Sequence, residues 1–166
     1  MSNPNKGHSH GPSVLVLNET VFSLSGKALR EEVGRMADFV SRRYRKKISE
    51  IDLAFLKPAA VQKLNKHFLK KDKTTDILTF ASKIETGMGA ELAINLVRVL
   101  KDAKSDERDA REYLAEVILH GLLHTVGVDH DYSTGSLRKV HALQRRLLDE
   151  FRPELKAFAV KKKRPG

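Results

Sequence analysis

Eleven residues constrain this chain more than any others: His120-Gly121-Leu122-Leu123-His124-Thr125-Val126-Gly127-Val128-Asp129-His130. The run before them, Ala110 to Leu119, repeats Tyr113, Leu114, Val117, Ile118 and Leu119 with a helical period. Four residues advance about 400° around a helix, so His120 and His124 share one face, roughly 6 Å apart along the axis. Two imidazoles so placed can hold one metal ion. Gly127 suits the left-handed position that ends a helix, and the turn there brings His130 toward the same face as a third nitrogen ligand. Three histidines with a position left open is the catalytic arrangement for zinc, whereas structural sites usually close with four protein ligands. The sequence therefore predicts a helix ending in a Zn2+ centre, one ion per chain, held by His120, His124 and His130. A lone histidine is more often an ordinary polar residue. Three at this spacing, with glycine where the helix must stop, call for the metal.

The same spacing matches the long zinc motif of metzincin peptidases except at its second position, which is Gly121. In those enzymes a glutamate there is the general base. Glycine cannot be one, so the peptidase machinery is absent while the metal site stands. Glu116, one turn before His120, is the obvious substitute base, and its expected role is a surface salt bridge. Asp129, beside the last ligand, is expected to orient a histidine through its free N–H or to fix the turn.

The chain has no cysteine, which excludes disulfides, thiolate zinc sites and the His/Cys/Cys centre of nucleobase deaminases. Its net charge is +10, and together with a metal hydrolase site that points to a polyanionic partner, RNA. No apolar run is long enough to span a membrane, and residues 1–12 lack the apolar core of a signal peptide, so the cytoplasm is the expected location.

The segments read as α+β: a small mixed sheet of about four strands with helices packed on it. Residues 1–12 are expected to be a flexible arm, 13–155 a single domain and 156–166 a basic tail. Val14 to Leu17 reads as a strand. Ser25 caps a helix of about twenty residues with Leu29, Val33, Met36, Phe39 and Val40 inward. That helix ends in a basic cluster whose Arg42, Arg43 and Arg45 are candidate phosphate contacts. Ser49 to Leu56 alternates as a strand, and Pro58 opens a helix with Val61, Leu64 and Phe68 inward. Asp76 to Ala81 and Leu92 to Ile94 read as two further strands, with Lys83 to Gly89 a turn between them. A helix with Val97, Leu100 and Ala103 inward follows, then Ser105 and its acidic neighbours open the histidine helix. Thr134 to Phe151 forms the last helix.

The pattern H-G-x-L-H-x-x-G-x-D-H resembles the signature of the YbeY family of bacterial metal-dependent endoribonucleases. A second block supports the resemblance: Leu64-Asn65, then Asp72-Lys73-Thr74-Thr75-Asp76-Ile77-Leu78-Thr79-Phe80. The likeness runs roughly from Val14 to Phe151. It implies the family's sheet with one antiparallel strand pair. It also implies a single-strand-preferring endoribonuclease of ribosomal RNA maturation and ribosome quality control, whose partners are ribosomal RNA and ribosomal or ribosome-assembly proteins. Three departures stand out. The family's arginine near the metal falls on Leu69, the proline of the second block on Thr74, and the G-D step on Ala90-Glu91. Lys70 is the candidate to supply the missing cation at the catalytic centre, and Lys70, Lys71 and Lys73 to grip phosphate, although lysine lacks arginine's planar fork. Two other readings stay open: a ribosome-associated assembly factor whose metal is mainly structural, and, on ligand spacing alone, a zinc peptidase.

Overall fold

A computed structural model describes residues 11–128 and 134–165 of the chain. Strand β1 (Ser13–Asn18) is followed by a two-residue strand β2 (Phe22–Ser23) and helix α1 (Gly26–Tyr44). Ser25 caps α1, its hydroxyl accepting from the Ala28 N–H, which satisfies a donor the helix itself cannot. Leu29, Val33, Met36 and Val40 recur on the face that α1 buries. Strand β3 (Ile48–Leu56) buries Ile51, Leu53 and Phe55 in alternation, and helix α2 (Pro58–Leu69) starts on its proline.

Strands β4 (Ile77–Ile84) and β5 (Gly87–Asn95) form a tight hairpin. The turn expected over Lys83–Gly89 shrinks to Glu85 and Thr86, because the polar and glycine residues beside it lie on the pairing strands. Gly87 has φ +148°, and a Cβ there would stand 2.5 Å from the Lys47 carbonyl oxygen, so only glycine lets the hairpin end close on the chain entering β3. The sheet order is β1-β3-β5-β4, with β1, β3 and β5 parallel and β4 antiparallel to β5. This is the α+β mixed sheet of four strands that the sequence predicts.

Helix α3 (Leu96–Ser105) is capped by the Asn95 side chain, and Leu96, Val99 and Ala103 face inward. Val97, expected inward, is 43% exposed, since the helix begins one residue earlier than its phase suggests. Ser105 ends α3 rather than opening the next helix. Asp109 caps α4 (Ala110–Thr125) instead, accepting from the Arg111 N–H, and the Arg111 guanidinium beside it pulls its carboxyl down to about 2. Phe68 is also corrected: it is 56% exposed and rests edge-on against Phe80, at the rim of the small cluster that α2 builds on the open sheet face.

The main core lies on the other face, where α1, α4, α5 (Thr134–Phe151) and a 3-10 turn at Leu155–Phe158 meet the sheet. α4 is buried nearly all round, as a helix through the middle of a core must be. Residues 156–163, expected as tail, carry part of this architecture. Phe158 is fully buried, β6 (Lys161–Lys162) pairs with β2, and the Lys163 ammonium donates to the Thr20 carbonyl. The apolar Ala157 and Phe158 were hidden by the run of lysines after them. Among the described residues no helix is long and apolar enough to cross a membrane.

Candidate metal centre and substrate cleft

The last turns of α4 place His120 and His124 on one face with their Nε2 atoms 3.0 Å apart. Two nitrogens on a tetrahedral zinc ion, each at the usual bond length, lie about 3.3 Å apart. The pair therefore fits bidentate capture of one ion; the same distance also accommodates an Nε2–H donated by one ring to the other. His130 and Asp129 lie outside the described residues. The helix end that leads to them is a complete left-handed cap. Gly127, at φ +85°, donates to the His124 carbonyl and Val128 to the Leu123 carbonyl, each at 3.0 Å. The helix thus ends within three residues of His124.

Gln144 of α5 reaches the other nitrogen, Nδ1, of His120. Its side chain is buried, 2% exposed, inside the apolar stripe that runs through Leu147, Leu148 and Phe151. The Gln144 amide nitrogen is the atom that faces Nδ1. For the His120 Nε2 to offer a lone pair, Nδ1 must carry the proton, and the Gln144 amide turned over about its last torsion brings its oxygen there to accept it. A carbonyl behind a histidine in this way fixes its tautomer and ring orientation, as outer partners of metal ligands do. The sequence offered a signal for Gln144, a polar residue at a core position of α5, but its partner could not be read.

Gly121 explains itself by close approach. A Cβ there would stand 2.8 Å from Leu92, 2.9 Å from Ile77 and 3.2 Å from the Thr79 hydroxyl. The position faces the sheet, where α4 packs on β4 and β5, so a glutamate has no room there.

Beside His120 opens a cleft of about 420 Å³, lined among others by Asp76, Asp106, Arg108, Tyr113, Glu116 and Gln144. Glu116 is paired with Arg108 as expected of a salt bridge, but it is buried, 7% exposed, not on the surface. Arg108 also lies 5.0 Å from the centroid of the Tyr113 ring. Burial works against its charge, yet the Glu116 hydrogen bond and nearby acids hold its pKa above the ordinary value. Asp76 Oδ1 accepts from the Ile77 N–H at 2.8 Å and from the Thr75 hydroxyl at 3.3 Å, while burial pushes its carboxyl up despite both bonds.

The loop of the second block is pinned from both ends by buried asparagines. Asn65 donates to the Lys73 carbonyl at 2.7 Å and accepts from the Lys71 N–H, and Asn95 donates to the Thr74 hydroxyl at 2.9 Å. Lys70, Lys71 and Lys73 are exposed and do not line the cleft; the Lys70 ammonium donates to the His67 carbonyl at 3.1 Å. Leu69 is 52% exposed. Arg42, Arg43 and Arg45 are exposed at the end of α1. That basic cluster borders the histidine turn, for the Lys46 ammonium lies 3.3 Å from where a Cβ of Gly127 would stand. His67 and His141 are exposed, His141 on the rim of the cleft.

Comparison with known proteins identifies relatives of this chain. The family model described as endoribonuclease YbeY matches residues 16–152. A protein named endoribonuclease YbeY from Wigglesworthia glossinidia brevipalpis is 31% identical over 110 residues, covering 64% of this chain and 72% of that one. Another of that name, from Thermodesulfovibrio yellowstonii, is 26% identical over 156 residues, covering 85% of this chain and 98% of the relative. A solution structure from Thermotoga maritima shares the fold with a TM-score of 0.56 at 20% identity, over 83% of this chain and 88% of that one. With more than half of its length matched, this chain belongs to the YbeY endoribonuclease family.

Proposed function

We propose that the protein is a metal-dependent endoribonuclease that cuts single-stranded segments of ribosomal RNA during maturation and quality control of ribosomes, in the cytoplasm. The observation that carries this is the pair of Nε2 atoms 3.0 Å apart at the end of α4, with Gln144 set behind His120. His120, His124 and His130 would hold one Zn2+. Such an ion supplies a Lewis acid for a phosphate oxygen and lowers the pKa of water to about 7. The protein's own residues do the rest. Gln144, with its amide oxygen turned to Nδ1, would keep His120 in the ligand tautomer, Gly127 ends α4 just after His124, and Asp129 is assigned an orienting role beside His130. The basic residues at Arg42, Arg43, Arg45, Lys70, Lys71 and Lys73 would hold the RNA backbone around the site, in keeping with a net charge of +10. Lys70 is the weakest candidate for direct catalysis, since its ammonium is engaged by the His67 carbonyl.

One observation favours a second reading, an assembly factor with a mainly structural metal that binds RNA or ribosomal protein: Leu69 occupies the arginine position of the family motif and points no cation at the cleft. The peptidase reading loses its last support at Gly121. Metal content by mass spectrometry on untagged wild type and His124→Ala, with RNA cleavage on the same samples, separates the first two. One metal per chain with cleavage, both lost in His124→Ala, is the expected result. Metal without cleavage by the wild type would leave the assembly factor.

A further inference from the structure

The cleft beside His120 differs in charge from the protein around it. The chain carries +10, yet the cleft presents Asp76, Asp106 and Glu116 against Arg108 and Arg145. Arg108 is paired with Glu116, so a phosphodiester drawn inside would face the Asp76 and Asp106 carboxylates, with Arg145 the one further guanidinium among the described lining residues. The backbone of a bound strand therefore belongs outside, on the surrounding basic surface. What the cleft suits is a flat, uncharged group with hydrogen-bond donors.

Its polar atoms specify that group further. Among the described residues, no other residue donates a hydrogen bond to Asp76 Oδ2 or Glu116 Oε1, while their sister oxygens are engaged by Ile77 and Thr75 and by Arg108. Glu116 is anchored in the buried wall, with its side chain 9% exposed. Arg108 uses Nη2 for Glu116 and Glu112, and among the described residues its Nε and Nη1 donate to nothing. Tyr113, with the Arg108 guanidinium over its ring, adds an aromatic group and a cation to the lining, the side-chain types on which unpaired bases stack. Carboxylate acceptors beside a guanidinium donor match one base in particular. Guanine offers two neighbouring donors, N1–H and the N2 amino group, next to two acceptors, O6 and N7. Uracil presents two carbonyls around a single N–H, which carboxylates repel.

We propose that this cleft is a nucleobase subsite that receives an unpaired guanine beside the scissile phosphate. Arg108 donates to O6, Glu116 beside it accepts from N1–H, and Asp76 accepts from the 2-amino group. The inference rests on the endoribonuclease reading and assigns that site its base preference.

The test uses the full chain, first without metal and then metal-loaded. Binding of short single-stranded RNAs that differ in one guanosine, inosine or uridine is read by fluorescence anisotropy. Cleavage of a random-sequence single strand is read by mapping the new ends. Guanine is expected at one fixed position next to the cut, and inosine, which lacks only the 2-amino donor, is expected to weaken binding about tenfold, the worth of one hydrogen bond to a charged group. In Asp76→Asn the guanosine-to-inosine ratio should fall toward one, a ratio that general loss of activity would leave intact, while Glu116→Gln should lower the preference of both purines over uridine, since both carry N1–H. If Glu116→Gln does not fold, Asp76→Asn carries the test, because asparagine can still accept from Ile77. Wild type that cuts RNA with no base preference, or a preference that survives Asp76→Asn, overturns the subsite alone. Wild type that neither binds nor cuts RNA overturns both readings.

Discussion

The two motif segments of this protein do their work in opposite ways. At the end of α4 the side chains converge: His120 and His124 meet at 3.0 Å, with Gln144 behind one of them and the sheet pressed against Gly121. In the loop of residues 69–75 the lysines are exposed and outside the cleft, and the backbone is held by the buried Asn65 and Asn95. A metal needs a few donors fixed to within tenths of an ångström. A polyanion needs charge at roughly the right place, and flexible lysines provide it without order. Motif residues of the first kind act through their functional groups, while several of the second kind act by fixing where the chain runs.

Substitutions at the two segments should sharpen that contrast. The largest effect is expected from Gly121→Glu, which puts a charged side chain where even a methyl group overlaps Leu92 and Ile77. It should cost more than about 3 kcal/mol or prevent folding, as read by urea denaturation. Asn65→Ala leaves the Lys73 carbonyl without its buried partner and should cost about 1–3 kcal/mol. Its RNA affinity, measured on the folded fraction, should fall as the loop loosens. Gln144→Leu keeps the shape of the core but releases His120, so unfolding should change little while metal affinity drops roughly 10–100-fold in a competition titration. The smallest change in stability is expected for Lys70, Lys71 and Lys73 changed together to alanine, within about 0.5 kcal/mol per site. Their signature is in salt dependence instead. If all three touch phosphate, the slope of log affinity against log salt for single-stranded RNA should flatten by about 2. An unchanged slope would dissolve the contrast by removing the loop from the RNA interface.

Much of this was legible in the residues. Ser25, Pro58 and Gly127 are terminal signals with local causes, and α1, α2 and the end of α4 lie where those signals put them. The alternation in β3 reflects one buried face and was equally plain. What escaped was set by distant partners. The hairpin of β4 and β5 looked like a loop because its glycines and polar residues take their meaning from the strand across from them. Val97 and Leu96 differ by one position in which faces inward, and Asn95 as a cap decides it. The histidine spacing showed the candidate ligands, but not the cleft beside them, because Asp76, Arg108 and Glu116 come from separate elements and meet only in the fold. Glu116 could be seen as a salt-bridge residue, though not as a buried one.

α4 runs through the middle of the molecule, touching β4, β5, α1, α3, α5 and the 3-10 turn at Leu155–Phe158. Its amide protons should therefore exchange only when the whole domain opens, since no smaller unit can release it. The histidines stand on that helix, so ligand capture between them reports directly on the global equilibrium. An ion bound there would raise the melting temperature of the entire domain, increasing with the logarithm of its free concentration. Chelation, in turn, should make the protein easier to unfold everywhere at once, including at strands far from the metal.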